Sequence, residues 1–176
     1  MNNILVATAM TFIGVAQAWS QVSWPEVVER ASHAVVVVET EKALGSGFFV
    51  RPDGTLVTNL HVIDGATQVA VRTASGEMFR GAFVMASDRT RDLAILRVDA
   101  FDMPVVQLGN SNDAKAGSAV LLLGAPRGLE QSASTGIVAG FRMNDSGTRL
   151  VQTSAAASPG SSGGPLIGEG GQVWVS

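Results

Sequence analysis

After residue 33 the chain is a succession of short apolar runs separated by turn residues. The runs are rich in Val, Leu, Phe and Thr, as in "VVVVE" (35–39), "TLVTN" (55–59) and "AVLLLG" (119–124), and turns such as "PDG" (52–54) separate them. None of them shows the 3.6-residue periodicity of an amphipathic helix. About eleven strands at this spacing predict an all-β fold of the sandwich or barrel type.

A polar segment rich in Gly and Asn divides these strands into two sets of similar size. The segment, "QLGNSNDAKAG", covers residues 107–117 and is the best candidate for a link between two units. Two sets of strands predict two packed β-barrels. We therefore expect a first barrel over residues 34–106 and a second over residues 118–176.

A short helix is expected ahead of the first barrel. "SWPEVVERAS" carries Ser23 and Glu26 at the S-x-x-E spacing of a capping box, with Pro25 inside the first turn. This pattern predicts a helix from about Trp24 to Ser32. It would form the core of an N-terminal arm over residues 19–33.

The first residues carry the pattern of an export signal. The apolar run from Ile4 to Ala16 is too short to span a membrane comfortably, and "AQA" at 16–18 places small residues at the −3 and −1 positions of a cleavage site. A buried or membrane-anchoring helix is the alternative. We interpret residues 1–18 as a signal peptide cleaved after Ala18. The mature chain would then be exported, to the periplasm or the outside of a bacterial cell, with no stable membrane span.

Composition excludes several classes of function. The net charge is −3 and the basic residues are scattered, which argues against nucleic-acid binding. The absence of cysteine excludes disulfides and thiolate metal sites, and the two histidines, His33 and His61, are too few for a convincing metal site. We expect neither a metal nor a cofactor.

The stretch "SPGSSGGPL" (158–166) places a serine among glycines between two strand-like segments. Residues 160–164 satisfy G-x-S-x-G, the nucleophile elbow of α/β-hydrolases, in which the acid and then the histidine follow the serine. No histidine follows Ser162, and Pro165 opposes a helix at that point. A histidine partner for Ser162 must therefore lie upstream.

One histidine and one aspartate upstream have suitable settings. His61 follows the strand-like "TLVTN" and precedes a glycine turn, whereas His33 lies at the end of the short helix and reads as structural. Asp92 directly precedes the strand-like "LAILRV", where a carboxylate needs a partner, whereas Asp88 reads as a turn residue. The order His61, Asp92, Ser162 is that of the chymotrypsin-like serine proteases.

The sequence resembles the HtrA (Deg) branch of the trypsin-like serine proteases over nearly the whole mature chain. The matching segments are "GSGFFVRPDGTLVTNLHV", "RDLAILRV", "LGNSNDAKAGSAVLLLGAPRGLEQSASTGIV" and "QTSAAASPGSSGGPLI". The resemblance implies a double β-barrel endopeptidase that cleaves unfolded proteins or peptides. It implies His61 as general base, Asp92 as its orienting acid and Ser162 as nucleophile.

The resemblance also assigns the surroundings of the nucleophile. It implies an oxyanion hole formed by the backbone N–H groups of Gly160, Ser161 and Ser162, and it places Ala156 at the base of the specificity pocket. Ser161 stands where the family usually has Asn. The family continues beyond "GQVWVS" with another strand and commonly a PDZ domain, so we expect a truncated, incomplete second barrel and no PDZ domain. A homo-oligomer is left open.

Three functions remain in competition. The first is an exported serine endopeptidase with a His-Asp-Ser triad and an acyl-enzyme intermediate. The second is a protease-like binding module whose catalysis is impaired by the missing strand. The third is a plain β-sandwich adhesion or structural domain, which leaves the combination of His61, Asp92 and Ser162 unexplained.

Overall fold

The computed structural model describes residues 23–125 and 132–175, so the predicted signal peptide (1–18) lies outside the described residues. The described helices are α1 (Trp24–Ser32) and α2 (Leu60–Ile63). The described strands are β1 (Val35–Thr40), β2 (Leu44–Phe49), β3 (Thr55–Asn59), β4 (Val69–Arg72), β5 (Met78–Arg80), β6 (Phe83–Asp88), β7 (Leu93–Arg97), β8 (Leu108–Gly109), β9 (Ala119–Gly124), β10 (Ser132–Met143), β11 (Arg149–Thr153), β12 (Leu166–Gly168) and β13 (Val173–Trp174).

Helix α1 has the predicted bounds, but its predicted capping box is absent. The Ser23 side chain makes no cap hydrogen bond, and the Ser23 carbonyl instead accepts the Val27 N–H at 3.0 Å. Pro25 occupies the second helical position and has no N–H to donate, which removes one of the two donors that a capping side chain uses. Burial of Val27 against the strands holds the helix in place.

The first sheet closes on itself. Its seven strands lie in the order β5-β4-β1-β2-β3-β7-β6, and the two outermost strands, β5 and β6, are consecutive in the chain. The run "MFRGAFVM" (78–85) predicts one strand, and the structure splits it into β5 and β6 at Gly81 and Ala82. The N–H groups of Gly81 and Ala82 both donate to the Val69 carbonyl, at 3.1 and 2.8 Å. At this break the chain passes from one edge strand, β5, to the other edge strand, β6, of the curled sheet.

Strand β1 is buried on both faces, which explains its unbroken run of valines. Val36 and Val38 point into the first barrel, where they pack with Phe49 and Leu56. Val35 and Val37 point the other way, into a core shared by the two sheets. Because successive side chains of a strand alternate between its faces, one tetravaline run serves two cores.

The second sheet has six described strands in the order β11-β10-β9-β12-β13-β8. Strand β8 comes from the predicted link (107–117) and pairs in parallel with β13. Leu121, Leu123, Ile167 and Val173 face the core shared with the first sheet. The prediction of an all-β fold with two curled sheets is confirmed, with the second a half-barrel.

Helix α2 was not predicted, because the sequence shows no helical periodicity after residue 33. Four residues make a single turn, which is too short to show helical periodicity in a sequence. Within the residues that the structure describes, no helix is long and apolar enough to cross a membrane.

Candidate active site

Helix α2 presents His61 to the solvent. Its other three residues, Leu60, Val62 and Ile63, are buried in the core of the first barrel. Because the other three side chains of this single turn point into the core, the His61 side chain points to the solvent and is 57% exposed. His33, by contrast, is an exposed C-cap residue of α1, consistent with its structural interpretation.

The loop between β6 and β7 is ordered before it reaches Asp92. The Asp88 carboxylate accepts the N–H groups of Thr90 and Arg91 at 2.8 and 3.1 Å and pairs with the Arg91 guanidinium at 2.7 Å. The hydrogen bond from that guanidinium, with the backbone hydrogen bonds, lowers the pKa of Asp88 below its ordinary value. Asn144, on the β10–β11 turn, donates from Nδ2 to the Thr90 carbonyl at 3.1 Å. Both sheets therefore hold the loop that carries Asp92.

Asp92 binds His61 with both carboxylate oxygens. Oδ1 accepts the His61 backbone N–H at 2.8 Å, and Oδ2 lies 2.5 Å from the ring atom Nδ1. A carboxylate can only accept at these positions, so the proton of the neutral ring lies on Nδ1. This leaves Nε2 with a free lone pair, the state that a general base requires.

The backbone of Asp92 is held in an unusual conformation by residues next to His61. Its φ is +52°, in the left-handed region that few residues other than glycine adopt. The Asp92 carbonyl accepts the Leu60 N–H at 3.0 Å and the Asn59 side-chain Nδ2 at 2.9 Å. Sequence reasoning missed Asn59, whose bond spans 33 residues.

The loop that carries Ser162, the predicted nucleophile, consists of two consecutive turns. The Ser161 N–H donates to the Ser158 carbonyl at 2.9 Å, with Pro159 second and Gly160 (φ +93°) third in the turn. The Gly164 N–H donates to the Ser161 carbonyl at 2.9 Å, with Gly163 (φ +85°) third. Proline second and a left-handed glycine third are typical of type II turns. Ser162 lies at the second position of the second turn, with its side chain exposed.

This loop is packed against the elements that carry His61. The Ser162 carbonyl accepts the Ser46 N–H of β2 at 2.7 Å. A Cβ added to Gly45 would lie 3.0 Å from that same carbonyl and 2.7 Å from the side chain of Val62, which follows His61. The second sheet therefore delivers Ser162 to the end of the first barrel where His61 and Asp92 lie.

Two of the three expected oxyanion donors are available. The Ser161 N–H is used within its own turn, and the Ser161 hydroxyl also binds Ser158. Across residues 23–125 and 132–175, the N–H groups of Gly160 and Ser162 donate to no protein acceptor. We therefore drop Ser161 from the proposed oxyanion hole and retain Gly160 and Ser162.

The hydroxyl of Ser162 and Nε2 of His61 do not form a hydrogen bond with each other. Neither atom has a hydrogen-bond partner in the part of the chain that the structure describes. Contacts between a nucleophile and its base are often looser without substrate. The catalytic roles of His61, Asp92 and Ser162 therefore stay predictions. They rest on the pairing of Asp92 with His61 and on the packing of the Ser162 loop against β2, next to the helix that carries His61.

Replacing Gly163 by alanine is expected to destabilise the protein far more than its backbone conformation alone explains. The new Cβ would lie 2.2 Å from the Ser46 carbonyl oxygen and 2.4 Å from Thr58 Oγ1. Gly76 is a matched control, because its φ of +89° is equally left-handed but nothing lies within 4 Å of an added Cβ. We expect Gly76→Ala to cost about 1–2 kcal/mol in the free energy of unfolding, and Gly163→Ala to cost about 1–3 kcal/mol more. Urea denaturation measures both, and equal losses would contradict the packing argument.

Ala156 lies on the segment that follows β11 and contacts β10. Its N–H donates to Ser134 Oγ at 2.8 Å, and the Ser154 hydroxyl accepts the Ile137 N–H at 3.0 Å. The Ser154 hydroxyl thus serves as a neutral acceptor for strand β10. Ala156 is exposed and brings no charge to this surface.

Among the described residues, no group of three or more His, Cys, Asp or Glu side chains is arranged to hold a metal ion. The expectation that the chain uses no metal and no cofactor therefore stays a prediction.

Two curled β-sheets, with a His–Asp pair on one and a glycine-rich serine loop from the other, define the class of chymotrypsin-like double-barrel proteins. The family described as "Trypsin-like peptidase domain" matches residues 45–174 of this chain. The chain belongs to the trypsin-like peptidase family.

The relatives lie in the HtrA branch that the sequence resembles. A DegP-like periplasmic serine endoprotease of Pseudomonas savastanoi pv. phaseolicola is 42% identical over 135 residues, which are 75% of this chain and 28% of that protein. One from Halomonas elongata is 38% identical over 138 residues, or 77% of this chain and 29% of that protein. The solved structure of the HtrA-type protease AlgW with a tripeptide has a TM-score of 0.78 and 35% identity, and the match covers 86% of this chain and 52% of that one. The chain thus spans less than a third of the length of these two relatives.

Proposed function

We propose that this chain is the protease domain of an exported bacterial serine endopeptidase that cleaves unfolded proteins. The observation that carries the proposal is the double contact of Asp92 with His61 beside the serine loop. The periplasmic relatives and the predicted signal peptide (1–18) both support export.

The proposed reaction assigns defined roles to the residues of the site. Ser162 Oγ attacks the carbonyl carbon of the peptide bond while His61 Nε2 takes its proton. Asp92 holds the Nδ1–H and stabilises the imidazolium that forms. The N–H groups of Gly160 and Ser162 bind the oxyanion of the tetrahedral intermediate. His61 then protonates the leaving amine, which leaves an acyl group on Ser162, and the same base activates the water that removes it.

A second function, a protease-like binding module with impaired catalysis, is favoured by one observation. Ser162 and His61 form no hydrogen bond in the described part of the chain. A fluorophosphonate probe distinguishes the two functions, because it phosphonylates only a serine that a base activates. We expect labelling that peptide mapping assigns to Ser162. An unlabelled but folded protein would favour the binding module and contradict the endopeptidase.

Cleavage is expected after small or medium aliphatic residues. Ala156, at the position that the family resemblance gives to the base of the specificity pocket, offers no charge to pair with a substrate Lys or Arg, and burying an unpaired charge is costly. A peptide library should show this preference. Ala156→Asp should raise kcat/KM for basic residues about tenfold or more, as an aspartate does in the pocket of trypsin.

The neighbouring exposed Ala157 gives the matched control, because Ala157→Asp adds the same charge one residue away. This variant should leave the preference for aliphatic residues unchanged. A native preference for basic residues, or an equal response of the two variants, would refute the assignment of Ala156.

A further inference from the structure

Ser46, a fully buried serine in β2, contacts the nucleophile loop at two backbone positions. We propose that Ser46 is a positioning residue that sets the geometry of the oxyanion hole. The proposal rests on the proposed function and adds a residue that touches neither substrate nor reacting atoms. The run "SGFFV" (46–50) predicts a strand and assigns Ser46 no role.

The hydrogen bonds of Ser46 join four segments. Its N–H donates to the Ser162 carbonyl at 2.7 Å, and its hydroxyl donates to the Gly160 carbonyl at 2.6 Å. The hydroxyl also accepts the Ala125 N–H at 2.9 Å, and the Ser46 carbonyl accepts Thr58 Oγ1 at 2.6 Å. The hydroxyl therefore acts at once as donor and acceptor between the two sheets, which no apolar side chain can do.

The bond to Gly160 controls the peptide that follows it. The Gly160 carbonyl belongs to the same rigid plane as the Ser161 N–H, so fixing the carbonyl directs that N–H back to Ser158. This arrangement maintains the turn in which Gly160 has a φ of +93°. Glycine adopts positive and negative φ with similar ease, so the turn needs an external contact to stay in one form.

The bond to Ser162 fixes the second turn from the same residue. Ser46 therefore holds the backbone on both sides of Ser161, and the N–H groups of Gly160 and Ser162 remain without a protein acceptor in the described residues. An oxyanion hole works only when its donors lie about 2.7–3.1 Å from the developing charge. A single buried serine thus sets the spacing of both donors.

The test is Ser46→Ala, which removes the hydroxyl's bonds to Gly160 and Ala125 and keeps the backbone bond to Ser162. We expect kcat, counted per active site titrated with a fluorophosphonate, to fall about 10- to 10²-fold, because misplacing one oxyanion donor approaches the cost of losing it. The KM of a peptide substrate should stay within about twofold, since the lost interaction acts in the transition state. Counting per titrated site removes any contribution from unfolded protein.

Hydrogen exchange measured by NMR gives a second readout that needs no turnover. The Ser161 amide should exchange about tenfold faster or more in Ser46→Ala, because local opening of its turn becomes easier. Thr73→Val is the stability control, since Thr73 is a buried hydroxyl that accepts the Glu77 N–H in the β4–β5 turn. It should leave both the Ser161 exchange rate and kcat per site unchanged.

A second variant covers the case in which Ser46→Ala does not fold. Ser46→Cys keeps a weak donor of similar size, and we expect its kcat per site and its Ser161 exchange rate to lie between those of the native chain and the predicted alanine values. Native kcat per site and native Ser161 exchange in a folded Ser46 variant would overturn the proposal. Loss of labelling in the native chain would instead overturn the proposed function, and the exchange readout would still decide the role of Ser46.

Discussion

Ser162→Ala is expected to abolish peptide-bond hydrolysis while the fold remains intact. The hydroxyl makes no hydrogen bond within the described residues and its side chain is exposed, so its removal costs little stability. Loss of a catalytic serine lowers kcat by about 10⁴- to 10⁶-fold, because the covalent step disappears and only the binding and oxyanion groups remain. Casein hydrolysis and fluorophosphonate labelling measure the loss, and circular dichroism confirms the fold.

Ser75→Ala provides the matched control for this substitution. Ser75 is an exposed serine on the β4–β5 turn, bonded only to Thr73 among the described residues. This variant should hydrolyse casein at the native rate. Residual activity of Ser162→Ala within about tenfold of native would show that another group is the nucleophile, since triad serines are worth far more.

Asp92→Asn is expected to lower kcat about 10⁴-fold at neutral pH. Both carboxylate oxygens accept hydrogen bonds from His61, and an amide has only one oxygen. If that oxygen keeps the backbone N–H, the amide NH₂ faces Nδ1 and forces the ring proton to Nε2. The imidazole then has no lone pair toward Ser162 and cannot act as its base.

The left-handed backbone conformation of residue 92 does not complicate the interpretation of this substitution. Asparagine tolerates the left-handed conformation that Asp92 adopts, so Asp92→Asn adds no strain. NMR of the ring nitrogens should show the tautomer change directly.

Asp64→Asn is the matched control. It removes an exposed carboxylate that pairs with Arg89 at the end of α2, and it should leave kcat within about twofold of the native value, because exposed ion pairs contribute little. A tenfold loss or less in Asp92→Asn would contradict the orienting role of Asp92.

The sequence predicted the features that short stretches encode. Strand bounds for β3 and β9 follow from apolar runs bounded by turns, and the two curled sheets follow from the number of such runs. The chain order of His61, Asp92 and Ser162, together with the family resemblance, led to the proposed site, of which the structure pairs His61 with Asp92. These signals lie within a few residues of the side chains concerned.

The features that were missed depend on distant contacts or on very short elements. The bond between Ser46 and Gly160 spans 114 residues, and no local pattern marks a serine for such a partner. Helix α2 is too short for periodicity, and the break at Gly81 depends on the Val69 carbonyl across the sheet. That the Ser161 N–H donates within its own turn was also missed, because peptide orientation depends on turn geometry that residue types alone do not determine.

Strand β1 has a consequence for how this chain can be divided. Val35 and Val37 belong to the core between the sheets, whereas Val36 and Val38 belong to the first barrel. The two faces of strand β1 therefore belong to different cores, so the packing of the first half depends on the second half. A first half produced alone would expose Val35 and Val37 to water. A chimera joined at residues 107–117 would have to pack a different second half against these valines. We therefore expect the two halves to fold as one cooperative unit.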